Sequence, residues 1–202
     1  MPRILLAIAA AVLAVSTGNT QPAPQKGLQD EGTFGLYVSE ERIGTLTFKL
    51  GADGSFTNEA VLAIAGQTAT TVDTVVVDAD GRWTRLESRT PQGTITTIRE
   101  GDSAKRTFKE KTDIIQVKPG SVLFSNYGPA LMSVMLRQYD KAKGGKQSLV
   151  VIVLPGAPLD GSLELKETVE RSVAGKDMPL EHFVFEMRGI VVHLYADGTG
   201  KL

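Results

Sequence analysis

From Thr33 to Val117 apolar and polar residues alternate with a period of two, in short runs broken by turns rich in glycine and aspartate. Phe34, Leu36 and Val38 alternate with Gly35 and Tyr37, and after the Ser-Glu-Glu-Arg break Leu46, Phe48 and Leu50 share one face of the next run. Successive strand side chains point to opposite faces, so two such runs predict a hairpin with one apolar side. Asp53-Gly54 then makes a turn suited to positive φ, and the Asp-Ala-Asp-Gly at 78–81 leads into Trp83. Thr68, Thr70, Val72, Thr74 and Val76 lie on one side of their run, and three further runs repeat the scheme to Val117.

The period changes after Gly120. In the stretch SNYGPALMSVMLRQYDKAKGG, Ser125 to Gly145, residues Leu131, Met132, Met135, Leu136 and Tyr139 recur at three- and four-residue spacing. Pro129 suits a first helical position, and Gly144-Gly145 can end the helix. The spacing predicts one amphipathic helix of about three turns. QSLVVIVLP is apolar on both sides and predicts a central strand. Leu163, Leu165 and Val169, and then Phe183, Phe185 and Met187, mark the apolar faces of later strands before IVVHLYADGTGKL closes the chain.

These elements add up to about eleven or twelve strands and one helix, with turns too short for repeated βαβ crossovers. So many strands in one sheet accumulate twist and curl. The expected fold is mainly β: a strongly curved antiparallel sheet or incomplete barrel, with the helix packed on its concave face. Phe34, Leu36, Leu46, Phe48, Phe183, Phe185 and Met187 would line that face, and Met132, Met135 and Tyr139 would cover it. Methionine adapts to irregular apolar shapes, and barrel mouths take small apolar ligands. The pattern admits two outcomes, an open hollow that binds a ligand or a dry core completed by the helix.

The N-terminus changes the compartment. Arg3, the apolar run from Ile4 to Val15 and the small polar residues after it follow the order of a secretory signal peptide. Cleavage is expected after Ser16 or Gly18, which divides the chain into a signal peptide at 1–18, a flexible linker at 19–31 and a single β-rich domain at 32–202. The apolar run is too short to span a bilayer comfortably, so the mature chain is expected to carry no membrane span and to be periplasmic or secreted. There are no cysteines, so disulfides and thiolate metal sites are excluded and the core alone must hold the domain.

Charge and motifs narrow the function further. Lys plus Arg total 22 and Asp plus Glu total 23; without a basic stripe to displace phosphate counterions, no nucleic-acid partner is expected. Three Ala-Asp-Gly turns, at Asp53, Asp80 and Asp197, lack the distal ligands of a calcium loop and read as turn chemistry. Ser125 and Ser133 lack the G-x-S-x-G setting of a nucleophile elbow. His182 and His193 would approach each other if the last two strands form a hairpin, and with Glu186 or Glu181 could make a weak metal or proton site; the ordinary reading is two rim histidines. No catalytic residue, resident metal or cofactor is expected.

GTFGLYVSEERIGTLTFKL, SNYGPALMSVMLRQYDKAKGG and GIVVHLYADGTGKL together resemble uncharacterised exported bacterial β-domains similar in shape to the lipoprotein-carrier half-barrel. They also resemble the N-terminal β-domain of some secreted α/β-hydrolases and peptidases. The first resemblance implies a periplasmic, non-enzymatic domain binding an apolar or lipid-like molecule, or a protein partner, in the concavity beneath the helix. The second implies an accessory domain of an exported hydrolase, whose nucleophile would lie beyond Leu202; no catalytic residue carries over.

Overall fold

A computed structural model describes residues 29–38, 40–64, 66–118, 120–125, 128–173 and 175–202. The expected signal peptide, both expected cleavage points and the expected linker up to residue 28 lie outside the described residues. Strand makes up 67% of the described residues and the described helix only eight residues, so the class is mainly β.

Thirteen described strands form two sheets. The first is an antiparallel meander of eight: β1 (Asp30–Val38), β2 (Glu41–Leu50), β3 (Phe56–Ile64), β4 (Gln67–Val77), β5 (Trp83–Thr90), β6 (Gly93–Glu100), β7 (Ser103–Phe108) and β8 (Lys111–Gln116). It is open, with β1 and β8 at its edges. Tight turns join neighbours in sequence, which is why each strand pairs with the next. In the turns an aspartate supplies the acceptor: Asp78 Oδ1 takes the N–H groups of Asp80 and Arg82, and Asp53 Oδ1 takes the N–H and hydroxyl of Ser55. At Asp53 the acceptor is the aspartate of the Ala-Asp-Gly repeat itself, as expected of turn chemistry, whereas in the 78–81 turn it is Asp78 just before the repeat rather than Asp80.

The second sheet runs β13-β12-β11-β10-β9, from β9 (Val122–Phe124), β10 (Gln147–Val153), β11 (Ala157–Val173), β12 (Lys176–Met187) and β13 (Ile190–Ala196). Here one expectation is corrected: β9 and β10 pair in parallel, Val122 opposite Val151 and Phe124 opposite Val153. Parallel neighbours need a crossover, and helix α1 (Pro129–Leu136) provides it. β10 is central, as its two-sided apolarity predicts, with Val151 and Ile152 both fully buried on opposite faces. Beyond its neighbours the β11–β12 hairpin continues as a two-stranded arm, Val169–Val173 against Lys176–Leu180.

Two apolar clusters make the core. The first joins Leu46, Phe48, Leu50, Phe56, Val75 and Leu86 of the meander to Leu123 and Ile152 of the second sheet. The second joins Val122, Phe124 and Val151 to Leu163, Phe183, Phe185, Met187 and Leu194. Helix α1 belongs to both, giving Ala130, Leu131 and Val134 to the first cluster and Met135 and Leu136 to the second, which Tyr139 just beyond the helix joins. It is therefore apolar around most of its circumference, wider than the one-sided stripe expected, and it fills the space between the sheets.

The helix is also shorter than the spacing predicts. Gln138 N–H donates to Met135 and Tyr139 N–H to Leu136, three residues back, so the last turn tightens and the helix stops at Leu136. Tyr139 turns inward, edge-on to Phe183 at 5.5 Å, and donates its hydroxyl to the Gly145 carbonyl at 2.8 Å. That tertiary contact competes with another helical turn and prevails.

Candidate functional site

The ten residues expected to line one hollow fall into two groups. Leu46 and Phe48 lie in the first cluster with Leu36 packed against it. Phe34 faces the same side from edge strand β1, 36% exposed and stacked on Phe48 at 5.6 Å. Met135, Tyr139, Phe183, Phe185 and Met187 lie in the second cluster with Met132 packed against it. A break between β8 and β9 separates the groups, since the chain leaves the meander there and starts a new sheet. Val38, grouped with Phe34 by alternation, is 59% exposed because a bulge between Leu36 and Tyr37 shifts the register.

Beneath the helix the second cluster is aromatic and sulfur-rich. Phe124 and Phe185 lie 5.3 Å apart, and Phe183 meets Tyr139. The helix over them has no side-chain N-cap, no acidic residue in its first turn and no basic residue in its last, so neither end is matched to the helix dipole. An isolated helix of eight residues is not stable in water. It holds its place through apolar packing, Ser133 Oγ donating to the Pro129 carbonyl and Leu202 N–H donating to Ser133 Oγ. The segment after it is tied by Gln147, which accepts from Asp140 N–H and donates to the Asp140 carbonyl.

A polar row crosses the floor of the first cluster, and alternation alone did not single it out. Asn58, Asp73 and Ser88 pair across β3, β4 and β5 and are 2–4% exposed. Asp73 Oδ1 accepts from Ser88 Oγ at 2.6 Å, and Oδ2 accepts from Ser125 Oγ at 2.9 Å. The Asn58 side-chain oxygen accepts the Asp73 N–H at 3.2 Å. Ser125 sits between strand β9 and helix α1, but its hydroxyl is directed to a carboxylate in a 2%-exposed position, an arrangement that fastens the crossover to the meander. The signal was present in the sequence: a polar residue at an inward-facing position of an otherwise apolar face.

His182 and His193 do meet, Nε2 to Nδ1 at 2.8 Å, on the solvent face of the last hairpin. The carboxylate beside them is Glu167, 3.6 Å from His182 Nδ1. Glu181 pairs with Lys141 and Glu186 with Lys146 instead, and that Lys146 hydrogen bond holds the Glu186 carboxyl below its usual range. A groove of about 740 Å³ lies along β1 to β4, lined chiefly by the polar residues Thr33, Thr47, Lys49, Thr57 and Glu59. No described helix is long and apolar enough to cross a membrane.

No protein-family model matches the chain, and no curated protein does. Among solved structures, a DUF1089-family protein from Pseudomonas aeruginosa is similar at 11% identity, covering 98% of this chain and 94% of its own, with a TM-score of 0.44. A likeness that loose carries no argument about fold or function.

Proposed function

We propose that this is an exported, periplasmic or secreted, non-enzymatic binding domain that takes an apolar or lipid-like ligand beneath helix α1. The observation that carries the reading is the way the helix is held: uncapped, eight residues long and seated on Phe124, Phe183, Phe185 and Met187 by apolar contact. An apolar chain entering there replaces like contacts with like, and Met132, Met135 and Met187 adapt to its shape. The helix then acts as a plug that a ligand displaces, hinged on the segment that Gln147 ties.

The test is lipid extraction and native mass spectrometry of the protein purified from its own host, with titration of a fluorescent fatty acid into the delipidated protein. A stoichiometric co-purifying lipid and saturable probe binding are expected. Absence of both, with a core that excludes hydrophobic dyes, overturns the reading.

A further inference from the structure

We propose that His182 and His193 form a two-imidazole site for a divalent ion with tetragonal preference, copper(II) or nickel(II), on the solvent face of the second sheet. The site is separate from the seam beneath the helix and does not depend on the reading given above.

Register brings the two rings together. His182 on β12 is opposite Tyr195 and Val184 is opposite His193, so the histidines are diagonal neighbours on one face. Their ring centroids are 5.1 Å apart, the planes are tilted by 23° and the facing nitrogens are 2.8 Å apart. With the nitrogens that close and the centroids that far, the rings meet edge to edge, the N–H of one directed at the lone pair of the other. Two imidazole nitrogens bound at about 2.0 Å and about 90° apart would themselves be separated by about 2.8 Å, whereas tetrahedral ligation needs about 3.3 Å. The observed 2.8 Å is a hydrogen-bond distance, so the rings must swing to aim both lone pairs at one ion; a tetragonal ion lets them do so at nearly the same nitrogen spacing.

The surroundings orient the pair. His182 is stacked on Tyr195 at 4.7 Å with planes 11° apart, and its side chain is only 13% exposed. The Arg171 guanidinium lies over the Tyr195 ring, 5.6 Å from its centroid. Glu167, too far for a hydrogen bond, is near enough to favour the proton on His182 Nδ1, which leaves Nε2 as the free lone pair. In the metal-free protein His193 Nδ1 then donates to His182 Nε2. On ligation the His193 proton moves to its own Nε2, so a neutral pair binds the ion without net proton release. His193 is exposed and gives the entry path. Among the described residues no group of three or more His, Asp or Glu converges on one point, so water would complete the coordination.

The test is titration of copper(II) into the full chain by calorimetry, with electron paramagnetic resonance of the one-equivalent complex. One equivalent bound, with a tetragonal spectrum showing coupling to two nitrogens, is expected. His182→Ala and His193→Ala should each abolish that signal, and Glu167→Gln, which removes a nearby charge but no hydrogen bond, should weaken binding by less than about tenfold. Copper bound equally well by the double variant His182→Ala/His193→Ala, a one-nitrogen spectrum in the unaltered protein, or no saturable binding each overturns the proposal.

Discussion

If helix α1 packs on both sheets, shortening a side chain on either of its sides must be destabilising. Leu131 faces the first cluster and Leu136, about 140° further round the helix, the second, and both are buried. Truncating either to alanine removes about three carbon-sized groups, worth about 0.8 kcal/mol each. The space left does not close fully, so a cavity penalty brings each substitution to about 3–4 kcal/mol. Because the side chains touch different clusters, the two effects should add within about 0.5 kcal/mol. The double variant Leu131→Ala/Leu136→Ala would then lose about 6–8 kcal/mol, comparable with the whole stability of an ordinary domain. Urea unfolding followed by circular dichroism measures all three, with Arg137→Ala as the exposed control expected to change stability by less than about 0.5 kcal/mol. A loss below about 1 kcal/mol at either buried position would refute two-sided packing and return the helix to a one-faced lid.

Three further outcomes are expected. Asp73→Ala removes the acceptor of two hydroxyl bonds at about 1.5–3 kcal/mol each, partly offset by relief of a buried charge, for a net loss of about 2–4 kcal/mol in denaturant unfolding; Asp73→Asn should lose less. At Gly44 an added Cβ would stand 2.3 Å from the Val61 carbonyl oxygen, so Gly44→Ala must part β2 from β3 and should lower stability by about 1–3 kcal/mol in a thermal melt. At Asp197 burial, the largest single influence, pushes the carboxyl up, but the Thr199 hydroxyl, the Lys201 and Thr199 N–H groups and the Lys201 charge together hold it below its usual range. A carboxyl lowered on folding stabilises above its unfolded value of about 3.9, and that contribution fades as pH falls through the folded value. Asp197→Ala should therefore lower stability at neutral pH and flatten its acid dependence below about pH 4; an unchanged acid limb would contradict this.

The sequence by itself determined what depends on neighbours along the chain. Period-two alternation and Asp-Gly turns settled the hairpins of the meander, because a strand that turns tightly has its successor as the nearest partner. The same logic placed His182 beside His193 once the last two strands paired. Apolarity on both faces marked Val151 and Ile152 as central, and the three- to four-residue spacing marked the helix.

Tertiary structure decided what depends on partners distant in sequence. The parallel pairing of β9 with β10 follows from where the crossover helix lands, and three residues, Val122 to Phe124, are too short a run to announce it. The division of Phe34, Leu36, Leu46 and Phe48 from Met132, Met135, Tyr139, Phe183, Phe185 and Met187 follows from the break into a second sheet. Alternation records that a side chain faces inward but carries no label for which interior it enters. The helix ends at Leu136 because Tyr139 finds Phe183 and the Gly145 carbonyl, a contact energy no local propensity contains. Asp73 could be seen as an inward polar residue; only folding supplies the Ser88 and Ser125 hydroxyls that make its burial tolerable.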